Sequence, residues 1–238
     1  MTAPAIVPRH VAVVVPASNE EGNIAATLHS IAAARRHLPP HVSSSVIVVA
    51  DACVDATAAI ARRVCNDIND VVLVTDHCNV GAARRHGTDH ALSAVPYEPR
   101  MVWIATTDAD TLVGPDWFTT QLQLAGHGIV GVAGIVQLRS DATITLRHAF
   151  ARSYQLAPDG THDHVHGANM AMRGDAYLAA GGWRDLPTGE DHDLWHRLAA
   201  IGPVIQTTAM TVQTSARRRG RAPAGFADDM ATLHGVGA

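Results

Sequence analysis

The sequence predicts an α/β fold: a mostly parallel, Rossmann-like central sheet flanked by helices, with a smaller region following it. Three observations lead there. Apolar, β-branched runs alternate with helix-like segments through the first two-thirds of the 238 residues. Polar clusters stand directly after Val15, Ala50 and Ala105, at the expected carboxyl ends of three strands. From Ile129 the alternation gives way to shorter, mixed segments. Strands separated by helices make βαβ units, and ligands of such sheets bind beyond the carboxyl ends of the strands.

The elements follow in order. His10–Val15 is a β-branched strand, ended by the turn Pro16-Ala17-Ser18-Asn19. Ser18 and Glu21 have the spacing of a capping box, and Ile24, Leu28, Ile31 and Ala32 share one face of the helix after it. Val46–Ala50 is the second strand, and Asp55 suits the N-cap of a helix carrying Ile60, Ala61 and Val64. Val71–Val74 is the third strand. Gly81 leads into an Ala-rich helix ending near Ala94. Met101–Ala105 is the fourth strand, and Pro115 opens a helix through Trp117, Leu122 and Leu124. Beyond it we expect a strand at Ile129–Leu138, a helix at Ala142–Leu156 and a polar loop at Asp159–His166. A short strand at Met170–Met172 and a short helix at Asp175–Ala180 come next, the helix stopped by Gly181-Gly182. A helix at Glu190–Ile201 and a last strand at Val204–Thr207 complete the pattern. No linker divides the chain. It reads as one domain over residues 1–238, with two functional halves at about 10–125 and about 126–215.

Composition narrows the function classes. Apolar residues make up 47% of the chain and charged residues 17%, enough for a sizeable core. The formal net charge of −4 gives no global attraction for nucleic acid. The basic run Arg217-Arg218-Arg219-Gly220-Arg221 is local, and suits either closure over a diphosphate or a basic tail. Three cysteines, Cys53, Cys65 and Cys78, are an odd number without CxxC spacing. That argues against a disulfide scaffold or a structural zinc site and for a cytoplasmic protein. No apolar run reaches membrane-spanning length, so no integral membrane segment is expected.

Several short motifs carry candidate chemistry. Asp108-Ala109-Asp110 follows the fourth strand, and two alternate carboxylates can share a divalent ion of the hard type, Mn²⁺ or Mg²⁺. Asp51 ends the second strand, where a carboxylate can accept from a nucleobase N–H. Asp55 fits the helix cap better than a ligand contact. Gly81-Ala82-Ala83-Arg84-Arg85-His86-Gly87 opens a helix from which Arg84 or Arg85 can reach a phosphate, a solvated helical face being the alternative. Glu190-Asp191 begins a helix. The dipole there favours ionised carboxylates, and an ionised carboxylate near an acceptor hydroxyl suits a general base. His162, His164 and His166 alternate around Asp163, a pattern compatible with a metal site or with an exposed loop. His192 and His196 are spaced i, i+4.

These segments together resemble the family 2 glycosyltransferases of GT-A fold. The resemblance rests on Val13 to Glu21, Asp51 to Thr57, Gly81 to Gly87, Asp108-Ala109-Asp110, Gly167 to Arg173, Gly181-Gly182-Trp183 and Glu190 to Leu194. They stand in the family's order across roughly residues 10–200. The resemblance implies that Pro16, Ser18, Glu20 and Asp51 line the nucleoside pocket, with Asp51 on the base and a UDP-sugar favoured. It places Asp108 near the ribose and phosphates, and Asp110 as the main ligand of Mn²⁺ or Mg²⁺. It makes Asp191 the catalytic base with Glu190 beside it, sets Gly167-Ala168-Asn169 beside sugar and acceptor, and implies inversion by one displacement. Two departures matter. Ala50 stands where many members carry a second acid, which bears on base preference. The Gln-x-x-Arg-Trp pattern of processive synthases is absent, which points to single transfers. The competing readings are a nucleotidyltransferase of sugar phosphates and a GT-A-like domain that binds nucleotide-sugar without turnover. No motif specifies the acceptor or the oligomeric state.

Overall fold

The computed structural model describes residues 7–65, 67–154 and 156–216 of the chain. The eight residues of strand β1 (His10–Ala17) are all buried. β1 pairs in parallel with β2 (Ser43–Asp51) on one side and β4 (Val102–Thr106) on the other. β2 pairs in parallel with β3 (Val71–Thr75). Consecutive side chains of β1 enter two different cores. Val11, Val13 and Val15 pack with Ile24, Leu28 and Ile31 of α1 (Ile24–Arg35). Ala12 and Val14 belong to the other core, with Ala83 and Ala91 of α3 (Val80–Ala94). This is the period-2 alternation of a strand covered on both faces, and it explains why the run is apolar throughout. At Gly87 of α3, a Cβ would lie 2.7 Å from Val14 Cγ1 and 2.9 Å from Val49 Cγ2, so only glycine lets this helix settle so close.

The sheet order is β3-β2-β1-β4-β7-β6-β8-β5. The strands beyond β4 mix directions. β7 (Met170–Arg173) is antiparallel to both β4 and β6 (Gly131–Leu138), while β6 runs parallel to β8 (Val204–Thr214). β5 (Thr111–Val113) is antiparallel to β8. The remaining helices are α2 (Thr57–Val64), α4 (Trp117–Gly126), α5 (Ile144–Ser153), α6 (Gly174–Ala179) and α7 (Glu190–Ile201). The chain order reverses direction around β1, so the turns after β1, β2 and β4 open at one crevice.

Several expected boundaries shift for local reasons. Helix α1 begins at Ile24, so no Ser18–Glu21 capping box forms; the Glu20 carbonyl instead accepts from the Asn23 and Ile24 amides. Helix α2 begins at Thr57, and Asp55 accepts from the Thr57 amide at 2.9 Å from just outside the helix. Asn79, not Gly81, caps α3, accepting from the Ala82 amide at 2.9 Å. β8 runs to Thr214, well past the expected Thr207, because its register shifts opposite Gly134/Ile135 and pairing then resumes. β5 has three residues, too few for a period to register in the sequence. Among the described residues no helix is long and apolar enough to cross a membrane.

Candidate active site

The turns after β1 and β2 are bonded to each other. Asn19, at φ +52, accepts from the Val54 amide at 2.8 Å through its side-chain oxygen. Glu21 accepts from the Ala56 amide at 3.0 Å, and Asp55 accepts from the Glu21 amide at 3.1 Å. The Glu20 amide donates to Thr57 Oγ1 at 2.6 Å. Asp51 is buried and accepts three bonds from the end of β3 and the turn into α3: Thr75 Oγ1 at 2.9 Å, the His77 amide at 2.6 Å and the Asn79 amide at 3.1 Å. The carboxylate expected to recognise a base thus also shapes the wall of the crevice. Of the other nucleoside-pocket candidates, Pro16 is buried within β1 and Ser18 is half-buried. Glu20 is buried and accepts from Asn23 Nδ2 at 3.0 Å.

Arg84 is the hub of a second cluster. It projects from α3 and is 3% exposed. One terminal nitrogen pairs with Asp108 at 2.7 Å, the other with Glu190. Its guanidinium carbon lies 5.4 Å from the centre of the Trp183 ring. Burial acts to lower the Arg84 pKa, but Asp108, Glu190 and Asp191 outweigh it and hold it above its ordinary value. The sequence reading gives Arg84 a phosphate contact, whereas here its ends are taken by carboxylates. Arg85, the other candidate, faces outward and pairs with Asp185 at 2.8 Å.

Asp108 is partly exposed, while Asp110 is buried with the Thr111 and Thr214 hydroxyls 3.5 and 3.4 Å from its Oδ1. Among the described residues no group of three or more His, Cys, Asp or Glu side chains is placed to hold a metal ion. The donor set at Asp108 and Asp110 fits a Mn²⁺ or Mg²⁺ of the kind held by one or two carboxylates together with substrate phosphates. The local charge agrees: Asp108, Glu190 and Asp191 set three carboxylates around Arg84, the guanidinium that pairs with two of them.

Asp191 lies in the first turn of α7, one residue after Glu190. Its Oδ2 accepts from the Gly167 amide at 2.9 Å and its Oδ1 from the His192 amide at 2.9 Å. Gly167 is itself fixed, its carbonyl accepting from Thr106 Oγ1 at 2.6 Å. Next to it, His166 Nε2 is 2.9 Å from the Tyr154 hydroxyl, which accepts from the Val136 amide at 3.0 Å. Burial pushes the His166 pKa down to about 4, against the opposing pull of Asp191. His162 and His164 are lowered for the same first reason. These three histidines gather around the Tyr154 ring, His164 closest at 4.2 Å between centroids. The alternation therefore makes a ring cluster, not a metal site. His192 and His196 are exposed on α7. Asn169 is fully buried and ties β6, β8 and α4 together, accepting from Trp117 Nε1 at 2.9 Å and donating to the Ile135 and Met210 carbonyls. Arg217–Arg221 lies outside the described residues.

Sequence reasoning missed Tyr154, Trp183 as the cover of Arg84, and the Gly167 amide as a partner of Asp191. A backbone amide leaves no residue-type signal, and Tyr154 sits in no motif. Trp183 was within reach as the aromatic residue after Gly181-Gly182.

The profile of the family described as Glycosyltransferase like family 2 matches residues 8–223, so the chain belongs to that family. No curated protein matches the chain. Among solved structures, S. aureus TarS 1–349 in complex with UDP-GlcNAc superposes with a TM-score of 0.67 at 14% identity, over 94% of this chain and 64% of that one. The mannosyltransferase PcManGT from Pyrobaculum calidifontis, in complex with GDP-Man and Mn²⁺, gives 0.63 at 21% identity, over 92% of this chain and 60% of that one. A mycobacterial protein gives 0.57 at 18% identity, over 89% and 68%. The fold is GT-A. The chain spans less than two-thirds of the length of TarS 1–349 and of PcManGT.

Proposed function

We propose that this chain transfers a sugar, hexosyl in type, from a nucleotide-sugar to an acceptor hydroxyl, with inversion and one sugar at a time. The observation that supports it best is the run of contacts from Asp108 through Arg84 to Glu190, with the Asp191 carboxylate beside it held by two backbone amides. Asp108, the first acid of Asp108-Ala109-Asp110, and the candidate base thereby belong to one cluster.

In this reading the half at about 10–125 binds the nucleotide and the half at about 126–215 presents the acceptor. Asp191 accepts the proton of the acceptor hydroxyl as its oxygen attacks the anomeric carbon. The bond from that carbon to the diphosphate oxygen breaks on the opposite face, so the configuration inverts and the nucleoside diphosphate leaves. The Gly167 amide holds the carboxylate in place for this. Asp110, with Asp108, would hold Mn²⁺ or Mg²⁺, which supplies charge neutralisation for the diphosphate when bound. Asp51, with Pro16, Ser18 and Glu20, would border the base, a uracil being preferred.

The test is calorimetric titration with UDP, GDP and dTDP, each with and without Mn²⁺. We expect one of them to bind only with the metal, and Asp110→Ala to lose that binding. A protein that binds none of the three would be a degenerate member of the family or a partner-binding domain, and the proposal would fall.

A further inference from the structure

We infer that Arg84 is a positioning residue that couples Asp108 to the helix bearing Asp191, not a ligand of the donor phosphates. The inference rests on the proposed function only in taking Asp191 as the base.

Four features support it. First, Arg84 is too enclosed for a ligand contact: it is 3% exposed and both terminal nitrogens are paired, so a phosphate could reach it only by displacing Asp108 or Glu190. Second, the paired residues belong to different parts of the fold. Asp108 follows β4 and Glu190 opens α7, so one guanidinium ties together segments that no strand pairing connects. Third, the guanidinium is closely packed. Its Cζ lies 5.4 Å from the centre of the Trp183 ring, and at Gly167 a Cβ would come 2.5 Å from Arg84 Cζ, so the Gly167 backbone rests directly on the group. Fourth, that same Gly167 donates its amide to Asp191 Oδ2. Arg84 therefore reaches Asp191 by two routes, through Glu190 on the same helical turn and through the Gly167 backbone.

Arginine suits this task in a way lysine does not. The planar fork can serve two carboxylates at once and pack against a peptide, while an ammonium is a compact point charge. Burying the cation costs free energy that only good pairing offsets, which explains why both ends are taken. A base misplaced by about 1 Å loses on the order of a hundredfold in rate, so a strut acting at this distance has a large effect without touching substrate.

The experiment uses Arg84→Lys in the full chain and three readouts: hydrogen exchange of the Gly167 amide, calorimetric affinity for UDP and GDP with Mn²⁺, and metal-dependent hydrolysis of the nucleotide-sugar. Exchange at Gly167 should quicken about tenfold or more while amides of β1 and β4 stay protected. The dissociation constant of the diphosphate should stay within about threefold, and hydrolysis should fall about a hundredfold. If Arg84→Lys does not fold, the double variant Arg84→Gln/Glu190→Gln removes both charges of the buried pair and should free Gly167 in the same way. Unchanged exchange at Gly167 in the folded variant overturns the inference, as does a loss of diphosphate affinity matching the loss of hydrolysis. A wild-type protein that binds no nucleoside diphosphate would sink the proposed function, while the exchange experiment would still decide the coupling.

Discussion

The turns after β1 and β2 and the cluster around Arg84 lie at the same end of the sheet, yet they hold their polar groups differently. In the first region side chains bond mostly to backbone amides of the neighbouring turn: Asn19 to Val54, Glu21 to Ala56, Asp51 to His77 and Asn79. In the second, charge meets charge across the fold, and Arg84 and Glu190 stand 106 residues apart in the chain. The first region is a rigid wall, built as each βαβ unit is laid beside the last. The second has more carboxylates than cations and exists only once the later half has folded back. Amide-held carboxylates give shape, whereas the surplus carboxylates give a place where a cation and a proton can be handled. Asp191 is where the two manners meet, being amide-held like Asp51 yet set within the charged cluster.

The sharpest way to break this comparison is at Asp191. Asp191→Asn preserves the side-chain shape but cannot take a proton. We expect turnover to fall by roughly 10²–10⁴-fold, the range for loss of a general base. Metal-dependent affinity for the nucleoside diphosphate should remain close to wild type. Initial rates with calorimetry on the same preparation check this. Full activity in the variant would remove Asp191 from the reaction and reduce it to a helix-terminal carboxylate.

Acid tests the comparison in both halves, through a histidine held neutral in each. His10, at the start of β1, has its ring nitrogens 2.8 and 2.9 Å from the hydroxyls of Ser43 and Ser45, and burial, helped by Arg35, lowers its pKa to about 4. His166 beside Asp191 is also at about 4. A histidine kept neutral by the fold costs nothing above its unfolded value of about 6.5, where both states are neutral. As the pH falls from there towards 4, the unfolded chain takes up protons that the folded chain refuses, so stability is lost across that window. At about 1.4 kcal/mol per pKa unit, His10 accounts for roughly 3 kcal/mol. Denaturant unfolding at pH 7 and pH 4.5 should show a smaller acid loss in His10→Gln than in wild type. An unchanged loss would mean that His10 does not stay neutral in the folded protein.

The sequence displayed the first region far better than the second, for a physical reason. The alternation around Val11–Val15, the acid ending β2 and the run of carboxylates after β4 are local patterns, and a parallel sheet brings the ends of such strands together. The start and end of α7 were readable from Gly189, the acids of its first turn and Gly202. What was not readable came from pairing at long range. The three residues of β5 hold too little periodicity, and the extension of β8 depends on a register shift opposite Gly134/Ile135. The partners of Arg84 could not be chosen from the many acids of the chain, nor could a backbone amide of Gly167 announce itself. The motif residues were thus visible as a set, and their wiring was not.

The gentlest of these tests asks whether the wall is as rigid as its bonds imply. Asp51 uses both oxygens as acceptors, so Asp51→Asn turns one of them into an amide nitrogen facing a donor. Whichever way the amide is set, either the Asn79 amide or the pair from Thr75 and His77 loses its acceptor. A buried group left without its partner costs about 1–3 kcal/mol. We expect a destabilisation of that size in urea unfolding, together with weaker nucleotide binding as the turn between β3 and α3 loosens. Because Asp51 stands on the wall and not in the charged cluster, turnover at saturating donor should change much less than affinity. An Asp51→Asn protein as stable as wild type but blind to the nucleotide would mean that the carboxylate serves the base directly and that the turn stands without it.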